Sequence, residues 1–217
     1  MNTLHRLASA SLFLAILGHA AFAEVKTFRT VPGDPKNVVE FESKATIEHI
    51  LGHTSSITGT VEVDLTDVAA TKTAQFDVDL NTLDTGIGLR NEHMRDNYLE
   101  TAKYPSASFR LTRIVSSDKA SLSAGESANV VAEGEFTIHG VSKTYQIPLT
   151  IYYDKTSDAT SSRLNGAKGD ILVVTGDWML KLADHNIQRP EFLVLKLATD
   201  QKVSVNFAMT DLLPESK

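Results

Sequence analysis

NVVAEGEFTIHGVSKTYQIPLTIYY, residues 129–153, decides how the chain is read. Val130, Ala132, Gly134, Phe136 and Ile138 fall on one face of an extended backbone, with polar residues between them. After the turn-rich segment IHGVSK the same alternation resumes, with Tyr145, Ile147, Leu149, Ile151 and Tyr153 on one face. Successive side chains of a strand point to opposite faces, so a period of two over this length describes half-buried strands, here joined as an antiparallel hairpin.

The pattern extends in both directions. VEFESKATIE places Val39, Phe41, Ala45 and Ile47 on one face and its charged residues on the other. Ile57, Gly59, Val61, Val63 and Leu65 alternate in the next segment, then Ala74, Phe76, Val78 and Leu80, then Ala107, Phe109 and Leu111. Beyond the hairpin follow Leu172, Val174, Gly176, Trp178 and Leu180, and finally Val203, Val205, Phe207 and Met209. About eight antiparallel strands with one wet face are expected, and closing them into a barrel removes the exposed edges; a sandwich is the second arrangement. The inward glycines Gly59, Gly134 and Gly176 mark sharp bends, bulges or the close approach of another group. Eight strands leave an interior that is either filled by side chains or hollow enough for one small ligand, and the pattern alone does not choose.

The N-terminus reads MNTLHR, an apolar run LASASLFLAILG, then HAAFA. A basic leader, a hydrophobic core and an Ala-x-Ala site are the grammar of a secretory signal peptide, with cleavage expected after Ala23 and a periplasmic or secreted destination. The run is shorter than the roughly 18 residues that span a bilayer. There is no cysteine, so neither disulfides nor a lipid-modified cysteine enter the account. The remaining residues, 24–217, are enough for one domain with a sizeable core. With 27 acidic against 21 basic residues and no basic block, nucleic acid and anionic membrane surfaces are poor partners. The Ser/Ala/Gly run at 116–129 reads as a surface loop.

One stretch interrupts the strands: LDTGIGLRNEHMRDNYLETAKYPSASF, residues 83–109. LDTG matches the core of the aspartic-protease signature, whose chemistry requires two such carboxylates; this chain has one, and Ile87 stands where a small residue is needed. The structural reading is that Asp84, Thr85 and Gly86 end a strand and cap a helix. In GLRNEHMRDNYL, Asn91, Glu92, Arg95 and Asp96 face water while Ile87, Met94 and Tyr98 share a stripe, and Tyr104-Pro105 restarts a strand. Glu92 and His93 are neighbours about 100° apart on a helix and make a poor catalytic dyad. His49 and His53 have the spacing of two metal ligands on a helix, but Gly52 and the flanking strands argue for a turn. With His139 in a hairpin turn and His185 in a loop, neither a metal site nor a cofactor is expected.

These segments resemble the YceI-like polyisoprenoid-binding family. The resemblance is carried by Thr85, Arg90, His93, Met94, Arg95, Tyr104, Pro105 and Phe109, and again by GEFTIHGVSKTYQIPL at 134–149. The segment KLADHNIQRPEF, 181–192, departs from the family pattern, keeping Asp184 and Ile187 but not its arginine, phenylalanine or glycine. The resemblance implies an extended eight-stranded antiparallel lipocalin-like β-barrel whose apolar tunnel holds an isoprenoid chain, with the 83–109 segment as a short helix capping one end. The expected ligand contacts are Phe41, Phe76, Val78, Phe109, Phe136, Trp178 and Phe207 in the interior. Arg90, His93, Met94 and Tyr98 are expected at the lid and the polar end. A filled barrel acting through a protein partner, and a hydrolase using Asp84 or His93, are the alternatives.

Overall fold

Ten strands form a single antiparallel sheet in the computed structural model, which describes residues 24–44, 48–164, 166, 168–188 and 198–212. The expected cleavage site, Ala45, Ile47 and the end of the divergent 181–192 segment lie outside these residues. In chain order the strands are β1 (Val25–Thr30), β2 (Val38–Lys44), β3 (His49–Thr54), β4 (Ile57–Asp64) and β5 (Thr73–Asp79). They continue as β6 (Ser106–Ser117), β7 (Glu126–Ile138), β8 (Val141–Asp154), β9 (Ile171–Lys181) and β10 (Asp200–Thr210).

Eight of them close a barrel in the order β1-β4-β5-β6-β7-β8-β9-β10, sealed where Arg29 and Thr30 of β1 pair with Thr210 and Met209 of β10. The expected eight-stranded antiparallel barrel is therefore the fold. The identity of one stave differs from the sequence reading. VEFESKATIE is not one strand: β2 ends at Lys44, and His49–Thr54 returns beside it as β3. β2 lies on β10 along Lys202–Asn206, just past the stretch that β1 covers. The β2–β3 hairpin thus continues the wall beyond β1. Among the described residues, β3 meets the rest of the wall through one bridge, His53 to Asp84, and a hydroxyl contact between Thr54 and Thr82 at 2.6 Å.

The opening hairpin behaves as its alternation dictates. β7 and β8 pair in unbroken register from Glu126–Tyr153 to Ile138–Val141. β8 and β9 pair only from Leu149–Gly176 to Asp154–Ile171. Pro148 has no N–H to continue that ladder, so the two strands part toward one end of the barrel. The one-turn helix Leu182–His185 covers the parting, and His185, fully buried, donates from Nδ1 to the Val141 carbonyl at 2.9 Å.

The two ends are packed differently. At one end Phe28, Leu65, Val68, Leu122, Tyr153 and Met209 are buried in a dense plug. Leu122 belongs to the loop expected to be a surface loop; its N–H instead donates to the Leu65 carbonyl and its side chain fills the plug. Lys26 closes this end by pairing with Asp170, which also accepts from Tyr153 Oη–H and Thr156 N–H at 2.9 Å each. The opposite end carries helix α1 (Gly88–His93) and a π-helical turn, Met94–Tyr98.

Candidate functional site

Between plug and helix the barrel is hollow. The cavity measures about 670 Å³, and every strand from β2 to β10 contributes to its wall. That size lies in the ordinary range for small-molecule sites. Inward residues such as Phe76, Val78 and Phe109 are half-buried rather than buried because they border this space. The premise of a filled barrel core is thereby removed.

Glycines opposite aromatic rings help to create the space. Gly59 pairs with Phe76, and a Cβ on Gly59 would sit 2.1 Å from the Phe76 ring. Gly52 stands to Phe41 in the same way, at 2.2 Å, and Gly134 lies under the Phe109 ring at 2.5 Å. Each ring lies flat across the neighbouring strand instead of standing into the lumen. Close approach is thus a reason for Gly59 and Gly134, the latter also opposite the register shift between Leu111 and Arg113 of β6; at Gly176 the neighbours are the Pro148 carbonyl and Leu149.

Phe41, Phe76, Val78, Phe109, Phe136, Trp178 and Phe207 all border the cavity, as do Arg90, His93, Met94 and Tyr98. Phe76 and Phe207 pack with ring centroids 5.0 Å apart, and Phe136 meets Trp178 edge to face at 5.9 Å. Met94 and Tyr98 pack onto the lid-side cluster containing Leu83, Leu99, Phe136 and Ile187. Ile187, in the divergent segment, is therefore a wall residue, and Gln188 beside it also borders the cavity.

The lid is built differently from its sequence expectation in three respects, and β3 in a fourth. Asp84 is not the helix cap: Ile87 occupies that position, with no side-chain cap bond. The Asp84 carboxylate accepts instead from Gly86 N–H at 2.8 Å and Asn91 Nδ2–H at 2.7 Å. These bonds, the Asn91 amide foremost, hold its pKa below the usual carboxylate range. Asn91, expected in water, is buried, and its Oδ1 accepts from both the N–H and hydroxyl of Thr85 at 2.8 and 2.6 Å. Ile87 does not lie on a buried stripe: it is 51% exposed at the cavity rim, beside Leu89 at 63%. His49 and His53 lie on β3 rather than in a turn; His49 bonds Glu42 at 2.5 Å and His53 bridges Asp84 through the backbone.

Arg90 reaches the cavity with its stem, but its guanidinium is already engaged. Nε donates to Thr85 Oγ1 at 2.9 Å, Nη2 to the Thr85 carbonyl at 2.8 Å, and Nη1 pairs with Glu48. His93 is exposed at the rim. His185, expected in a loop, sits in the short helix over the β8–β9 parting, where Nε2 accepts from Tyr145 Oη–H at 3.1 Å. Burial pushes its pKa below the ordinary imidazole value and that of Tyr145 above the ordinary phenol value. Among the described residues no group of three or more acidic or histidine side chains is placed to hold a metal ion, and no helix is long and apolar enough to cross a membrane.

Several polar wall residues escaped the sequence reading, among them Ser43 on β2 and Gln201 on β10. Parity was the available signal. Ser43 shares the face of Val39 and Phe41, and Gln201 that of Val203.

The YceI-like domain family model matches residues 34–210, and the chain belongs to that family. No relative matches among curated proteins. Among solved structures, the chain is similar to a polyisoprenoid-binding domain from Saccharophagus degradans implicated in plant cell wall breakdown. The two share 20% identity with a TM-score of 0.63 over 86% of this chain and 99% of that one. Burkholderia cenocepacia BcnA is similar at 19% identity and TM-score 0.59, covering 80% of this chain and 96% of its own. The Campylobacter jejuni YceI protein matches at 17% identity and TM-score 0.55, over 76% of this chain and 86% of that one. At these identities the likeness speaks to the fold.

Proposed function

We propose that this chain is an exported, non-enzymatic lipid-binding protein that holds a polyisoprenoid or similar long-chain amphiphile inside its barrel, for carriage, storage or sequestration. The observation that carries the reading is the cavity of about 670 Å³, closed at one end by the Phe28–Met209 plug and walled almost wholly by apolar side chains. The polyisoprenoid-binding domain from Saccharophagus degradans, similar in fold, supports the choice of ligand class. The signal-like N-terminus supports export.

Burying each methylene is worth about 0.8 kcal/mol, so some twenty carbons offer a gross gain on the order of 15 kcal/mol. Ordering the chain and fixing its position remove much of that, leaving binding expected at about micromolar or tighter. Two measurements test the reading. Lipid extraction and mass spectrometry of the exported protein should recover a long-chain apolar molecule. Titration of the lipid-free protein with a polyisoprenoid should change the emission of Trp178, the single tryptophan, which borders the cavity. If a soluble head-group analogue bound as well as the full polyisoprenoid, the chain would be contributing nothing and the reading would fail.

A further inference from the structure

The cavity wall is mostly apolar, and one small polar cluster on it has incomplete hydrogen bonding. Ser43 and Gln201 are 1% and 5% exposed, yet Ser43 Oγ and Gln201 Oε1 have no hydrogen-bond partner among the described residues. The same is true of Trp178 Nε1, also on the wall. Buried polar groups left unpaired are rare and costly, so three on one cavity wall ask for an occupant.

Strand register brings them together. Lys202 pairs with Glu42 and Val203 with Phe41, and continuing that ladder by one residue sets Gln201 beside Ser43. On the other side of β10, Val203 pairs with Trp178 and Gln201 with Leu180, so Trp178 is the diagonal neighbour of Gln201. Ser43, Gln201 and Trp178 thus occupy three adjacent strands on the lumen face. The amide of Gln201 is oriented by its own bond, Nε2–H to the Ala198 carbonyl at 2.9 Å, which leaves Oε1 as the free end.

From these three groups we propose a head-group seat for a neutral ligand end that both donates and accepts a hydrogen bond, namely a hydroxyl such as that of a long-chain prenyl alcohol. Gln201 Oε1 only accepts, Trp178 Nε1–H only donates, and Ser43 Oγ does either. A hydroxyl donates to the first and accepts from the second or third. An ether or a quinone carbonyl cannot donate and leaves Gln201 Oε1 unpaired. A phosphate brings charge to a wall whose one lysine or arginine among the described residues is Arg90, already paired with Glu48 and Thr85. An ionised group desolvated without a partner is strongly disfavoured. The seat therefore lies on β2, β9 and β10, not on the lid arginine.

This inference rests on the lipid-binding reading above, and one set of titrations separates the two. Geranylgeraniol, its methyl ether and its monophosphate are titrated into the lipid-free protein, followed by Trp178 emission and calorimetry. The alcohol should bind at least about tenfold more tightly than the ether, the scale of one buried acceptor left unpaired, and more tightly than the phosphate. In Gln201→Leu, checked for folding by thermal melt, the alcohol-to-ether ratio should fall toward one, whereas Ser43→Ala keeps the acceptor and should keep the ratio. Equal affinities for alcohol and ether in the unaltered protein overturn the seat and leave the lipid reading standing. So does a preference unchanged in Gln201→Leu, or tightest binding of the phosphate. If none of the three prenyl compounds binds, both fall. Should Gln201→Leu not fold, Gln201→Met carries the same test, and the ratio in the unaltered protein still decides.

Discussion

Gly59 illustrates how little a lumen residue needs to do. Its contribution is the absence of a side chain, which lets the Phe76 ring lie flat on the opposing strand. Gly59→Val would place carbon where that ring and the Gln75 carbonyl already are, the latter 2.6 Å from the first added atom. The ring must swing into the lumen. A loss of about 1–3 kcal/mol is expected from the overpacking, together with weaker polyisoprenoid binding; urea midpoints and the titration measure the two effects. Stability without loss of binding would show that the space near Phe76 is not used. His185 makes a second residue-scale prediction. Because burial lowers its folded pKa, folding is undisturbed above the unfolded value of about 6.5. As pH falls below that value, the unfolded chain takes up a proton that the folded chain refuses. Melting temperature should therefore drop between about pH 6.5 and 5, and the drop should be shallower in His185→Gln. Parallel curves for the two proteins would remove His185 from the account.

At the scale of elements, the lid is held by Arg90, whose three bonds tie α1 to the Thr85 turn and to Glu48. Arg90→Ala should loosen the lid and speed ligand release by a similar factor for alcohol and phosphate ligands. Stopped-flow exchange would show it, and an effect confined to the phosphate would instead put the guanidinium at the head group. The elements that the sequence disclosed are those whose alternation is long and strongly apolar on one face. β4, β5 and β7 to β10 follow their periods closely, β6 slips register after Leu111 and again after Ile114, and each of the seven inward residues named for the tunnel borders the cavity. β1 and β3 were not legible because they are short and nearly polar on both faces. VKTFRT buries Phe28 among threonines, and HILGHT offers Ile50, Gly52 and Thr54. The lid misled for a related reason. Asn91 is polar by composition and buried by function, since its amide joins Thr85 to Asp84, and no periodicity encodes such a bond.

For the molecule as a whole, the notable asymmetry is in the wall. β9 and β10 pair along their full length, from Asp200–Lys181 to Thr210–Ile171. On the other side of the β2–β3 hairpin, two backbone bonds between His53 and Asp84, at 2.9 Å each, join β3 to its neighbour among the described residues. On the proposed function, such a seam offers a route other than the mouth: parting these two bonds and the Thr54–Thr82 hydroxyl contact would open the lumen sideways while the far end, packed around Phe28 and Met209, stays shut. A flexible chain tens of atoms long would then enter edgewise instead of threading tip first past Tyr98 and Met94.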